Sequence, residues 1–143
     1  MPGGHFDSEQ FVRAAGDGII AAGADGSIVL WNPAAERMFG YTESEALGRS
    51  LDLIIPERFR QRHWDGYRQV MQTGHTKYGA DVLRVPAIHK DGRTLSIAFT
   101  VSLLAAPGDG GRIIVAIVRD ETTRWNEERE LRRRLADLEA RKT

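Results

Sequence analysis

The chain has 143 residues, a length that suits one compact domain, and its 20 basic and 20 acidic side chains cancel, which removes any global electrostatic attraction to nucleic acid or anionic membrane. Cysteine is absent, excluding thiol nucleophiles, disulfides, thiolate zinc sites and thioether-linked chromophores. No apolar run approaches the roughly 20 residues of a membrane span, and MPGGHFDSEQ lacks the basic start and apolar centre of a secretory signal, so a cytoplasmic protein without direct membrane contact is expected.

In chain order, Asp7 or Ser8 can cap a short lead-in helix through Ala15 whose apolar stripe is Phe11, Val12 and Ala15. Two β-rich runs, Gly18–Ala22 and Ser27–Trp31, flank Asp25-Gly26 and read as a hairpin. Asn32 then caps, and Pro33 opens, a short helix that Gly40 ends. Thr42 with Glu45 forms a capping-box pattern for a second short helix closed by Gly48. Leu51–Ile55 is apolar but too short to assign, and a clear helical pattern runs from Glu57 to Thr73.

Beyond Gly74, Tyr78–His89 is compatible with a strand, Lys90-Asp91-Gly92-Arg93 with a turn, and Thr94–Leu104 alternates as a strand. A Pro-Gly-Asp-Gly-Gly loop precedes Arg112–Arg119, whose Ile113–Val118 run suits a buried central strand. From Asp120 the chain turns charged and helix-favouring. Leu131, Leu135 and Leu138 start a coiled-coil seam there, though a tail helix packed on its own domain explains the same spacing. The triplet Arg132-Arg133-Arg134 lies among Glu127, Glu128, Glu130, Asp137 and Glu139 and reads as a solvated face, not a nucleic-acid patch.

Along the long helix Phe59, His63, Tyr67 and Val70 recur at four, four and three residues, which places His63 on the apolar face, broadened by Trp64 and Met71. An imidazole there must find a hydrogen-bond partner or bind something. His5, His75 and His89 fall in terminal or turn segments and read as surface residues.

Two strands, a helical insert, three strands and a charged exit helix, in that order, resemble the PAS fold. The likeness is carried by Asp25-Gly26-Ser27-Ile28, Trp31-Asn32-Pro33-Ala34-Ala35-Glu36, Phe39-Gly40-Tyr41, Lys90-Asp91-Gly92 and Arg119-Asp120-Glu121-Thr122. The resemblance implies an α+β fold: a five-stranded antiparallel sheet with inserted short helices, one long helix and flanking terminal helices. It divides the chain into an extension (1–10), a sensory domain (11–123) and a C-terminal signalling helix (124–143). Such domains enclose a ligand pocket and pass its state to an output domain, so a regulatory module is expected and an enzyme is not.

Pro56-Glu57-Arg58-Phe59-Arg60-Gln61-Arg62-His63 is in turn similar to the haem-binding PAS oxygen sensors, whose axial histidine stands at this helical position. The implied cofactor is haem b with His63 as iron ligand and a diatomic gas such as oxygen as partner. The implied pocket takes Phe59, His63, Tyr67 and Val70 from the helix and Leu83, Ile97, Phe99 and Ile117 from the strands. The sequence departs from that pattern on the other side. Counted without gaps from His63, the position of the sensors' distal Arg is Leu83 and that of their Met ligand is Asp81. Arg84 is adjacent but on the opposite face of a regular strand. Two alternatives stand beside haem: a structural histidine in a protein-interaction module that homodimerises through its terminal helices, and a pocket for non-covalent flavin or another small molecule.

Overall fold

The computed structural model describes residues 5–76, 81–108 and 111–142. Helix α1 (Ser8–Ala14) starts where the Asp7 carboxylate accepts the Gln10 N–H, and it buries none of its side chains; Phe11 keeps 56% of its surface exposed. Strands β1 (Gly18–Ala22) and β2 (Ile28–Trp31) pair antiparallel. Their link is longer than the two-residue turn that Asp-Gly suggests. Asp25 folds back to accept from the Ser27 backbone, Gly26 takes φ +82°, and the register slips beside Ala22.

Helices α2 (Pro33–Phe39) and α3 (Glu43–Ala46) start on the expected caps, Asn32 and the Thr42–Glu45 capping box. The unassigned Leu51–Ile54 segment is a 3-10 helix, and a second 3-10 turn, Glu57–Phe59, leads into α4 (Arg60–Thr73). Strands β3 (Leu83–Ile88), β4 (Thr94–Ala105) and β5 (Arg112–Asp120) complete an antiparallel sheet of order β2-β1-β5-β4-β3, and α5 (Thr122–Arg141) leaves from the end of β5. Strand β3 is shorter than the expected Tyr78–His89 strand, of which Tyr78–Ala80 lie outside the described residues. It holds Pro86, which lacks a ladder donor and is tolerated because β3 is an edge strand. No described helix is long and apolar enough to cross a membrane.

The inserted helices cover one face of the sheet. Ile20, Ile28, Trp31, Ala35, Phe39, Ile54, Leu95, Ile97 and Val118 form the core between them. Strand β5 is central, as expected, but its burial is one-sided: Val118 is 3% exposed and Ile117 48%. In an antiparallel sheet covered on one face, a continuous apolar run still sends alternate side chains outward. Ile117 therefore leaves the set of pocket residues; it faces away from the side that Ala116 and Val118 share.

Candidate functional site

Helix α4 shows the amphipathic face its spacing predicts. Tyr67 is buried, Phe59, His63, Trp64, Val70 and Met71 are half-buried, and Gln61, Arg62, Asp65, Arg68 and Gln69 are exposed. Arg60 differs from a solvated arginine: its guanidinium donates to the Ile55 carbonyl at 3.0 Å and to the Asp52 carbonyl at 3.3 Å, tying the first turn of α4 to the preceding 3-10 helix.

Three further anchors fix α4 over the sheet. The Trp64 indole N–H donates to Asp52 Oδ1 at 2.7 Å, and the Tyr67 hydroxyl donates to the Gly23 carbonyl in the β1–β2 link. Burial, with the Asp25 carboxylate nearby, pushes the Tyr67 phenol up to about 12, so it stays a neutral donor. At the other end Arg112, the first residue of β5, donates to the Met71 carbonyl. Its guanidinium sits where a Cβ on Gly74 would come within 2.7 Å, placing a cation at the negative end of the helix. Gly26 is required for a related reason: a Cβ there would collide with the Trp64 ring.

His63 lies in the middle of this anchored stretch, its ring centroid 4.6 Å from that of Trp64 and 5.6 Å from that of Tyr67. Its Nδ1 is buried without a hydrogen-bond partner, the one such side-chain atom among the described residues. Burial also lowers its pKa, outweighing the nearby Asp52 carboxylate that acts the other way, so the ring is held neutral with a free nitrogen lone pair. Leaving such an atom unmatched costs about 1–3 kcal/mol. A neutral imidazole of this kind fits an axial ligand of haem iron. No group of three or more His, Cys, Asp or Glu among the described residues could hold a metal ion by itself.

Of the other pocket residues read from sequence, Leu83 and Phe99 are cross-strand partners and half-buried, and Ile97 is 5% exposed within the core. Val85 pairs with Ile97, shares its inward register and is nonetheless 40% exposed. The inward face is thus filled at β1 and β2 and left partly open at the start of β3. Arg84 faces outward, 3.7 Å from Glu121 at the root of α5. His75 and His5 are exposed as expected. His89 is not: its side chain is 14% exposed and its ring fills the space over Gly40, where a Cβ would come within 2.5 Å.

The exit from the sheet is tightly bonded. Glu121 N–H donates to the Ser96 carbonyl, Ser96 N–H donates to the Thr122 hydroxyl at 2.9 Å, and Asp120 Oδ1 accepts from the Thr122 N–H and hydroxyl. Ser96 immediately precedes Ile97, so the root of α5 is fastened to the strand that forms the inner wall. Sequence reasoning found the Asp120–Thr122 junction but missed Trp64–Asp52, Arg112 and Arg84–Glu121, which join residues 12 or more apart. The glycines that admit Trp64 and Arg112, Gly26 and Gly74, were their visible trace.

A family model described as PAS fold matches residues 7–120. Among curated relatives, an uncharacterized protein of Azorhizobium caulinodans is 34% identical over 118 residues, 82% of this chain and 16% of that protein. Sensor protein FixL of Bradyrhizobium diazoefficiens is 30% identical over 87% of this chain and 23% of its own length. Oxygen sensor protein DosP of Escherichia coli strain K12 is 25% identical over 80% of this chain and 14% of its own. The chain therefore spans less than a quarter of the length of these relatives. The PAS domain of a Colwellia psychrerythraea protein superposes with a TM-score of 0.69 at 18% identity, covering 81% of this chain and 95% of that one. That of an HTR-like protein from Haloarcula marismortui gives 0.61 at 24% identity, covering 79% and 93%.

Proposed function

This chain belongs to the PAS family and is a sensory domain similar to those of sensor proteins; from that premise we propose that it binds haem b through His63 and relays gas or redox state to an output domain through α5. The carrying observation is the buried, unpartnered Nδ1 of His63 on a helix otherwise fully anchored. The names of the oxygen-sensor and sensor relatives support the same direction. His63 would hold the iron, with Phe59 from the preceding 3-10 turn, Tyr67 and Val70 from α4, and Leu83, Ile97 and Phe99 from the sheet around the ring. Bound haem supplies a centre that takes up gases and electrons. The chain's own residues do the rest: burial keeps His63 deprotonated, Tyr67 and Trp64 hold α4 in place, and the Ser96–Thr122 bonds couple the inner wall to α5.

The test is an absorption spectrum of protein purified with haem available, before and after dithionite and carbon monoxide. A Soret band that shifts with both is expected. It should be lost or altered in His63→Ala and kept in His89→Ala; an unchanged spectrum in His63→Ala would sink the assignment, and a flavin-shaped spectrum would select another cofactor.

One observation favours a second reading, an interaction module whose partner is another copy of this chain. Leu131, Leu135 and Leu138 of α5 remain 62%, 58% and 55% exposed, flanked by the Arg124–Glu128 and Glu130–Arg134 pairs. Sedimentation equilibrium of the wild type and Leu135→Asp tests it. A dimer that becomes a monomer supports the seam, and a monomeric wild type removes it.

A further inference from the structure

The His63 ring packs against Trp64 and Tyr67, and both of these side chains reach the same short stretch of backbone. The Trp64 ring lies where a Cβ on Gly26 would come within 2.2 Å, and the Tyr67 hydroxyl donates to the Gly23 carbonyl. Residues 23–27 form the β1–β2 link, a loop closed on itself. Gly23 N–H donates to the Ser27 carbonyl at 3.0 Å, Gly26 N–H to the Gly23 carbonyl at 2.9 Å, and Ser27 N–H to the Asp25 carboxylate at 2.9 Å. The Gly23 carbonyl therefore accepts twice, once from inside the loop and once from α4. The register slips between Ala21 and Ala22, just before the loop, so the β1–β2 ladder does not stiffen its entry. Its tip, Ala24 and Asp25, is exposed.

We infer that Tyr67 is a positioning residue through which the state of the site at His63 sets the conformation of the β1–β2 link. The inference rests on the haem reading above. Tyr67 stands one helical turn after His63, so its ring and hydroxyl move with the segment that carries the imidazole. The indole of Trp64 is bonded to Asp52 and so holds α4 to the preceding 3-10 helix, whereas the hydroxyl of Tyr67 ends on a loop. When α4 shifts, either Gly23 follows or the bond to its carbonyl breaks. Both outcomes change the protection of the Gly23, Gly26 and Ser27 amides. The link joins β1 to β2, while the root of α5 is bonded to β4, so the site has a second responsive region on other strands.

The experiment follows backbone amide exchange in the haem-loaded, reduced protein by mass spectrometry, with and without carbon monoxide. In the wild type, exchange across residues 23–27 is expected to change by about fivefold or more on adding the gas, the effect of making or losing one hydrogen bond. Exchange in the turn at Lys90-Asp91-Gly92-Arg93, which is bonded to Phe39 and Glu45 instead, should change by less than about twofold. Tyr67→Phe keeps the ring and removes the hydroxyl. In that variant the response of the link should fall below about twofold, while the Soret band still moves with carbon monoxide.

If Tyr67→Phe fails to fold, a nitroxide on Ala24→Cys takes its place, since the chain has no other cysteine to label. Its spectrum should change with carbon monoxide, and an unchanged spectrum overturns the relay. A haem-loaded wild type whose link exchanges alike with and without the gas, or a Tyr67→Phe link that responds as the wild type does, overturns the role of Tyr67 while leaving haem binding intact. A wild type with no Soret band overturns both.

Discussion

Trp31 and His63 are both ring side chains on the covered side of the sheet, and their surroundings differ in kind. Trp31 is 0% exposed, packs on Phe39 at 5.5 Å and donates its indole N–H to the Tyr41 carbonyl at 2.9 Å. His63 also buries a nitrogen, but nothing accepts from it or donates to it. Around Trp31 every need for burial and bonding is met within the chain; around His63 the helix is fastened and the ring is not. A fold that completes one end of its core and leaves the other partly open draws its stability chiefly from the first.

The contrast is sharpest where the filled end is emptied. Trp31→Ala should cost about 3–5 kcal/mol in denaturant unfolding, the range for deleting a large aromatic from a packed core; a loss below about 1 kcal/mol would erase the distinction between the two regions. Gly26→Ala should follow at about 3 kcal/mol, since it adds a collision with Trp64 to the strain of φ +82°. Gly48→Ala, with the same φ and open space around it, isolates the strain at about 1–2 kcal/mol. Equal costs for the two glycines would mean that α4 does not rest on the β1–β2 link.

Smaller effects belong to the open end. Val85→Ala should cost less than about 1 kcal/mol, whereas Ile97→Ala, its cross-strand partner, should cost about 2–4 kcal/mol; equal values would show β3 to be covered. His63→Leu should leave the stability of the haem-free protein within about 1 kcal/mol, or raise it, because it removes an unmatched polar atom. It should also flatten the pH dependence. Burial holds the folded pKa of His63 below its ordinary 6.5, so the unfolded chain takes the proton first, and the stability present above about 6.5 is lost as pH falls through the folded value. Unfolding midpoints of both proteins at about pH 8 and about pH 5.5 check this; a wild type equally stable at both would mean that His63 is solvated.

What could be read from the sequence tracks how local the chemistry is. The caps at Asp7, Asn32 and Thr42 are satisfied within three residues, and all three start helices where expected. The face of α4 follows from helical period alone, so the half-buried position of His63 could be read in advance. That its nitrogen lacks a partner is a fact about every element around it and has no local signal. Ile117 was misplaced because an apolar run does not reveal which of its faces is covered. His89 was taken for a surface residue because its contact with Gly40 spans 49 positions.

The Asn32 side chain has one more property. Its Oδ1 accepts from the Ile19 and Ala35 amides and its Nδ2 donates to the Val12 and Asp17 carbonyls, so four segments meet on one amide that is 2% exposed. Asparagine side chains age by cyclising onto the backbone N–H that follows, shedding ammonia and becoming a carboxylate. Here the following residue is Pro33, which carries no such hydrogen. The proline that starts α2 at the right angle thus also closes the main chemical route by which this junction would decay, and the lifetime of the folded domain is not set by its most connected side chain.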